Sequence, residues 1–173
     1  MYLATLGEII DQARERNEHC DIAVLDLSKA YNRVWKEGVL KKLNEWGFSG
    51  RIGKFIQGFL QNRSFRVAIG GTLSQSFPER NGVPQGSVLA VTLFLIAINS
   101  IFESLPNGIH ILLYADDIVI VVTGPNVTRV RIKIRSAIRH IFKWAERTGF
   151  SIAPEKCSIT HCCDHHNHPW KRI

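Results

Sequence analysis

Three carboxylates stand at the ends of apolar runs in this sequence. Asp26 lies within Ile22-Ala-Val-Leu-Asp-Leu27, and Asp116 and Asp117 separate Leu112-Leu-Tyr114 from Ile118-Val-Ile-Val-Val122. An ionised carboxylate in such surroundings is costly without a partner. Two adjacent ones repel each other unless a cation lies between them. Carboxylate oxygens at three strand ends suit hard divalent cations such as Mg²⁺. Each residue taken singly has a plainer reading: Asp26 as a strand-end carboxylate capping the next turn through Ser28 and Lys29, and Asp116-Asp117 as an Asp-rich β-turn. The second fits poorly, because two-residue hairpin turns favour Asn-Gly or Asp-Gly for their positive φ.

A second group with chemical potential is Gly82-Val-Pro-Gln-Gly-Ser87. Pro84 restricts the backbone, the glycines allow another chain to come close, and Gln85 offers an amide with donors and acceptors. Ser87 is placed to start an apolar helix, whose N-terminal amides would favour a phosphate. A plain loop-to-helix turn has the same pattern. Arg131, Arg135, Arg139, Lys143 and Arg147 recur every fourth residue, as a phosphate-contacting stripe or a solvated helix face would. His161-Cys-Cys-Asp-His-His-Asn-His168 holds Zn²⁺-type ligands, yet lacks the paired spacing of a closed structural site and reads as an exposed tail.

The elements that must position these residues follow from periodicity. Leu3, Leu6, Ile9, Ile10 and Ala13 have helical spacing. The β-branched run around Asp26 predicts a strand, and helices are expected over 36–46 and 51–61. Phe65, Val67 and Ile69 alternate with polar or small residues, predicting a strand that turns at Gly70-Gly71 and returns through 74–77. A long apolar helix is expected from Ser87 to about Leu105. Residues 109–122 predict a buried hairpin with the carboxylates at its tip. Val130, Ile134, Ile138, Ile141 and Ala145 mark an amphipathic helix over 127–147, and 150–163 predicts one or two short strands around Pro154. The series is α+β, with helices packed on a mainly antiparallel sheet.

With 173 residues, 45% of them hydrophobic and 21% charged, the chain is the size of one globular domain rather than a disordered segment. Its 22 Lys+Arg against 15 Asp+Glu leave a net charge of +7, which suggests a polyanionic partner. Four cysteines are too few and too clustered for a disulfide scaffold, so a reducing compartment is expected. No signal-peptide pattern is visible, and the longest apolar run, 88–98, falls short of the roughly 18 residues a membrane span needs. An intracellular protein without a membrane partner is expected, with nucleus and cytoplasm not distinguished.

Asp26-Leu-Ser-Lys-Ala-Tyr31, Gly82-Val-Pro-Gln-Gly-Ser87, Tyr114-Ala-Asp-Asp117 and Gly149-Phe-Ser-Ile-Ala-Pro-Glu-Lys156 occur in that order. Together they resemble the successive palm motifs of reverse transcriptases from non-LTR retrotransposons. Ala30-Tyr-Asn-Arg-Val-Trp35, Asn62-Arg-Ser-Phe-Arg-Val67 and Trp144-Ala-Glu-Arg147 extend the resemblance over about residues 20–160. Ser87-Val-Leu-Ala-Val-Thr-Leu-Phe-Leu-Ile-Ala-Ile-Asn99 is most similar to the I-element and jockey-like group.

The resemblance implies a polymerase palm, its sheet packed by helices on one face, with partial fingers over 1–163, a tail over 164–173 and no thumb. It implies RNA-templated DNA synthesis from deoxynucleoside triphosphates on an RNA template and a DNA primer. Asp26, Asp116 and Asp117 match the metal-binding carboxylates for two Mg²⁺ ions, with Mn²⁺ as a substitute. Leu27 and Tyr31 fall among the nucleotide-binding positions, with Tyr31 as the aromatic residue beneath the incoming sugar. Gln85 and Gly86 match the loop against the templating base pair, and Lys156 a lysine facing the leaving pyrophosphate. Tyr114 and Ala115 would border the primer terminus. Tyr31 also reads as a core tyrosine, and Lys156 as a solvated lysine beside Glu155. Asn32 stands where the family usually has a second Asp, keeping the hydrogen-bonding shape without the charge. The family's Arg-Pro-Ile type segment is not found before Asp26. A non-catalytic palm remnant that at most binds nucleic acid is the alternative reading.

Overall fold

The computed structural model describes residues 2–106 and 108–162. In chain order the elements are α1 (Tyr2–Glu15), β1 (His19–Asp26), α2 (Ala30–Arg33), α3 (Lys36–Glu45), α4 (Gly50–Leu60), β2 (Ser64–Phe65), β3 (Ala68–Ile69), β4 (Thr72–Leu73) and β5 (Phe77–Pro78). There follow α5 (Val88–Ile98), a 3-10 turn (Asn99–Ser104), β6 (His110–Tyr114), β7 (Asp117–Gly124), α6 (Val127–Thr148), a second 3-10 turn (Pro154–Lys156) and β8 (Ser158–Cys162). The α+β class expected from the sequence is the one observed. Two compact units are built from these elements, one from residues up to Ser28 together with those from Ser100 onward, the other from Lys29–Asn99.

The first unit is a four-stranded antiparallel sheet in the order β6-β7-β1-β8. Successive side chains of β1 point to opposite faces. Cys20, Ile22 and Val24 take one face, where Tyr2, Leu6, Ile9, Ile10 and Ala13 of α1 pack with Val119, Val121 and Leu112. Ala23 and Leu25 face the other way, with their cross-strand partners Ile120 and Ile118. Helix α6 covers that second face: a Cβ at Gly124 would meet Val130 at 3.4 Å. Helices thus pack on both faces of the sheet and not on one as expected, because β1 and β7 carry apolar side chains on both. Val130, Ile134, Ala137, Ile141, Trp144 and Ala145 of α6 are buried, while Ile138 is half-buried. The helix starts where the Asn126 Oδ1 accepts the Arg129 N–H at 3.0 Å, and it stops at Gly149, whose φ is 80°.

Three further expectations shift here. The apolar face of α1 is led by Tyr2 rather than Leu3, which is 75% exposed. His161 and Cys162 belong to β8 rather than to an exposed tail, and the His161 imidazole pairs with the buried carboxylate of Asp21. The rest of that tail, from Cys163 on, lies outside the described residues. In the basic stripe Arg135, Arg139, Lys143 and Arg147 are exposed, whereas Arg131 is half-buried.

In the second unit α3, α4 and α5 pack through Val39, Leu43, Ile56, Leu60, Ala90, Leu93 and Phe94. The segment after α4 is not one continuous hairpin. It forms two two-residue ladders, Ala68–Ile69 with Thr72–Leu73 and Ser64–Phe65 with Phe77–Pro78, separated at Arg66-Val67. All of these strand residues are exposed, so no buried face holds the alternation in one register. The apolar helix ends at Ile98 and tightens into the 3-10 turn, short of Leu105. Among the described residues no helix is long and apolar enough to cross a membrane.

Trp144 is 1% exposed, stacks on Phe150 at 5.2 Å and donates its indole N–H to the Ser100 hydroxyl at 2.9 Å. Trp144→Ala is expected to cost about 3–5 kcal/mol in urea unfolding, and Trp144→Phe distinctly less. Burial is the main cause that pushes the Cys20 thiol up to about 12, with Cys162 and Asp21 adding to it. The folded state therefore keeps a proton that the unfolded chain releases near 9.0. This contribution to stability is complete below that value and is lost as pH rises toward 12. Cys20→Ala should flatten the alkaline limb of the stability–pH curve; identical limbs would contradict the assignment.

Candidate active site

The carboxylates are positioned by the register of β1 on β7. Asp26 is the last residue of β1 and lies directly opposite Asp117, the first of β7. Partners so placed have Cα atoms roughly 4.5–5.5 Å apart and point to the same face. That face is the one covered by α1, because Asp26 shares the parity of Cys20, Ile22 and Val24. Asp116 precedes Asp117 in the two-residue turn of the β6–β7 hairpin, where Tyr114 pairs with Asp117. Asp26 and Asp116 are half-buried and Asp117 is exposed. Ala115 has a φ of 53°, so a non-glycine residue takes the left-handed conformation this turn requires.

Asp26 does not cap the following turn. The Ser28 N–H donates to the Ser151 carbonyl at 2.8 Å, and the Asp26 carboxylate accepts from Lys156 instead. The Lys156 Nζ lies 3.2 Å from one Asp26 oxygen and 3.5 Å from the other. The lysine is delivered by backbone pairing: Ala153 N–H donates to the Asp26 carbonyl at 2.9 Å, and Lys156 N–H closes the 3-10 turn on Ala153 at 3.0 Å. Leu27 bridges Ile152 through its main chain, and the residue is 1% exposed.

The donor set is oxygen only, which suits a hard divalent cation. Three acidic residues share one end of one sheet. Among the described residues, however, no three His, Cys, Asp or Glu side chains are gathered closely enough to hold a metal ion. The Lys156 ammonium lies against the Asp26 carboxylate.

Tyr2 was not legible as part of this region. Its ring lies 5.6 Å from that of Tyr114, and its hydroxyl is pushed above the ordinary tyrosine range, first by burial and then by the charge of Asp117. The available signal was its phase, four residues before Leu6 on the face that packs on the sheet.

In the second unit Tyr31 is half-buried and stacks on Phe94 at 4.7 Å. The 82–87 loop is tied to the same short helix by two backbone bonds, Gly82 N–H to the Val34 carbonyl at 2.8 Å and Val83 N–H to the Tyr31 carbonyl at 2.9 Å. A Cβ at Gly82 would lie 2.9 Å from the Asn32 Cα, and Gly82 has a φ of 93°. Beyond this anchor Gln85 and Gly86 are exposed, with Gly86 at a φ of 89°. The contact at Asn32 is through its backbone, so the loop seats independently of whether Asn or Asp stands there.

An antiparallel sheet with helices on both faces and carboxylates at a hairpin tip defines a polymerase palm. The chain belongs to the reverse transcriptase (RNA-dependent DNA polymerase) family, whose profile matches residues 3–171. Among its relatives are polymerases of mobile elements. The chain is 29% identical over 153 residues to the RNA-directed DNA polymerase from mobile element jockey of Drosophila melanogaster, covering 85% of this chain and 17% of that protein. Over 162 residues it is 26% identical to the probable RNA-directed DNA polymerase from transposon BS of the same species, covering 87% of this chain and 17% of the relative. The chain therefore spans about a sixth of the length of these relatives. Its fold is shared by telomerase from Candida tropicalis solved with the TWJ fragment of telomeric RNA, with a TM-score of 0.69 and 12% identity over 95% of this chain and 29% of that one. A truncated apo form of the same enzyme gives a TM-score of 0.64 and 13% identity over 96% of this chain and 37% of that one.

Gly82→Ala combines the 2.9 Å contact with a left-handed φ. It is expected to cost about 1–3 kcal/mol, read as a lowered midpoint in urea, whereas Gly86→Ala, with open space around it, should cost less. Equal costs would show that the loop is not anchored at Asn32.

Proposed function

We propose that this chain supplies the catalytic centre of an RNA-directed DNA polymerase, extending a DNA primer on an RNA template with deoxynucleoside triphosphates. The observation that carries the reading is Asp26 placed opposite Asp117 at the hairpin tip, in a chain that matches the reverse transcriptase family across residues 3–171. The relatives named as RNA-directed DNA polymerases support it, as does the telomerase solved with RNA. Residues 1–163 are read as palm with part of the fingers, and 164–173 as a tail.

Asp26 and Asp116 would hold two divalent cations, Mg²⁺ or Mn²⁺, with Asp117 as the third carboxylate. Such ions, when bound, acidify the primer 3′-hydroxyl and stabilise charge on the transferring phosphate and leaving pyrophosphate. The chain's own residues do the positioning, which is where most of the acceleration in such a transfer arises. Tyr31, braced by Phe94, is the residue assigned to exclude a 2′-hydroxyl by contact with the sugar. Gln85 and Gly86 are assigned to the templating base pair, and Leu27 to the nucleotide. Tyr114 and Ala115 are assigned to the primer terminus, and Lys156 to the pyrophosphate.

Primer extension on an RNA template should require a divalent cation and fall by about a hundredfold or more in Asp116→Ala, the scale of losing one key electrostatic group. Equal activity of the two proteins would refute the catalytic assignment. The alternative reading is a palm piece that binds nucleic acid without incorporation, with the net charge of +7 as its support. Salt-dependent RNA binding with no extension by the unaltered chain would select it.

A further inference from the structure

We propose that Lys156 is the resident counter-ion of Asp26, so that a divalent cation and the Lys156 ammonium compete for one carboxylate. The inference rests on reading Asp26 as a metal ligand. It goes beyond that reading by making a side chain of this protein a determinant of metal affinity.

Geometry sets the two cations in competition. The ammonium lies within 3.5 Å of both Asp26 oxygens, 3.2 Å from the nearer, and so covers the edge of the carboxylate that a cation would approach. Mg²⁺ binds oxygen at about 2.0–2.1 Å. An ion seated at that distance would place two cations against one carboxylate, and their repulsion weakens the hold of each. Asp26 has Asp117 opposite it on one side and the Lys156 turn on the other. The single ammonium therefore sits beside a carboxylate whose cross-strand neighbour carries the same charge.

The backbone keeps this counter-ion in reserve. Ala153 is bonded to the Asp26 carbonyl, and the 3-10 turn begins at Pro154, whose ring fixes φ. The Cα of Lys156 is held near Asp26 whether or not its ammonium is engaged. The side chain is 62% exposed, which makes the ion pair weak and easily exchanged. A rigidly placed backbone with a releasable charge is what a placeholder requires.

The test measures Mn²⁺ binding to the full chain by electron paramagnetic resonance, without nucleic acid or nucleotide. Removing a competitor worth an exposed ion pair should tighten Mn²⁺ binding about two- to fivefold in Lys156→Gln, while Lys156→Arg stays near the unaltered chain. Asp26→Asn should weaken binding strongly. In parallel, acetylation of Lys156 read by mass spectrometry should quicken when Mg²⁺ is added, since metal binding frees the amine. Unchanged Mn²⁺ affinity in Lys156→Gln together with a loss in Asp26→Asn would overturn the placeholder and leave Asp26 as a ligand. Unchanged affinity in Asp26→Asn would instead overturn the metal reading of Asp26, and the proposal with it.

Discussion

Everything in the first unit depends on the register of β1. This strand is paired on both sides, by β7 and β8, and it is packed on both faces, by α1 and α6. A slip of one residue would carry Cys20, Ile22 and Val24 to the α6 face and turn Asp26 away from Asp117. The apolar side chains that forbid the slip are the ones that bury the sheet: Ala23 and Leu25 toward α6, Ile22 and Val24 toward α1. The carboxylates contribute nothing to that choice. They are placed by hydrophobic packing several residues away, so the site inherits its precision from the core.

The strand carries two further acidic problems and solves them differently. Asp21, on the α6 face, is 1% exposed and meets His161 from the neighbouring strand. Its charge is committed to structure, and leaving it without that imidazole would strand a carboxylate in the core. Asp26 lies near the open end of the same strand, on the α1 face, and meets a lysine whose side chain is 62% exposed. Both partners come from the far end of the chain, 140 and 130 positions away. The buried pair fastens β8 to the sheet, while the exposed pair remains exchangeable. Depth, rather than residue type, separates a structural carboxylate from one free to take another cation.

What was legible in the sequence follows the same division. The α6 helix could be read because its apolar residues recur at the helical period. The β6–β7 hairpin could be read because two apolar runs flank a polar tip. Local patterns could not set the phase of α1, where Tyr2 and not Leu3 faces the sheet; only the packed sheet decides that. The alternation at Phe65, Val67 and Ile69 promised a strand, yet those residues are exposed, and alternation without a buried face yields only two-residue ladders. The pairing of Lys156 with Asp26 was beyond local reading, because it depends on the bridge from Leu27 to Ile152 and the bond from Ala153 to Asp26.

The hairpin tip shows how the core's precision reaches the candidate catalytic residues. Ala115 adopts a φ of 53°, a conformation that glycine would accept with less steric cost. Such a residue persists only where its surroundings over-determine it. Here Tyr114 and Asp117 are paired across the strands on one side of the turn, and the Tyr2 ring lies against Tyr114 on the other. Glycine would relax the turn and also widen the range of conformations the tip can visit. An alanine narrows that range, and the two carboxylates beside it are aimed by a backbone with little freedom to reorient. The helix that begins the chain thus acts on the site at one remove: by bracing Tyr114 it helps hold the turn that presents Asp116 and Asp117.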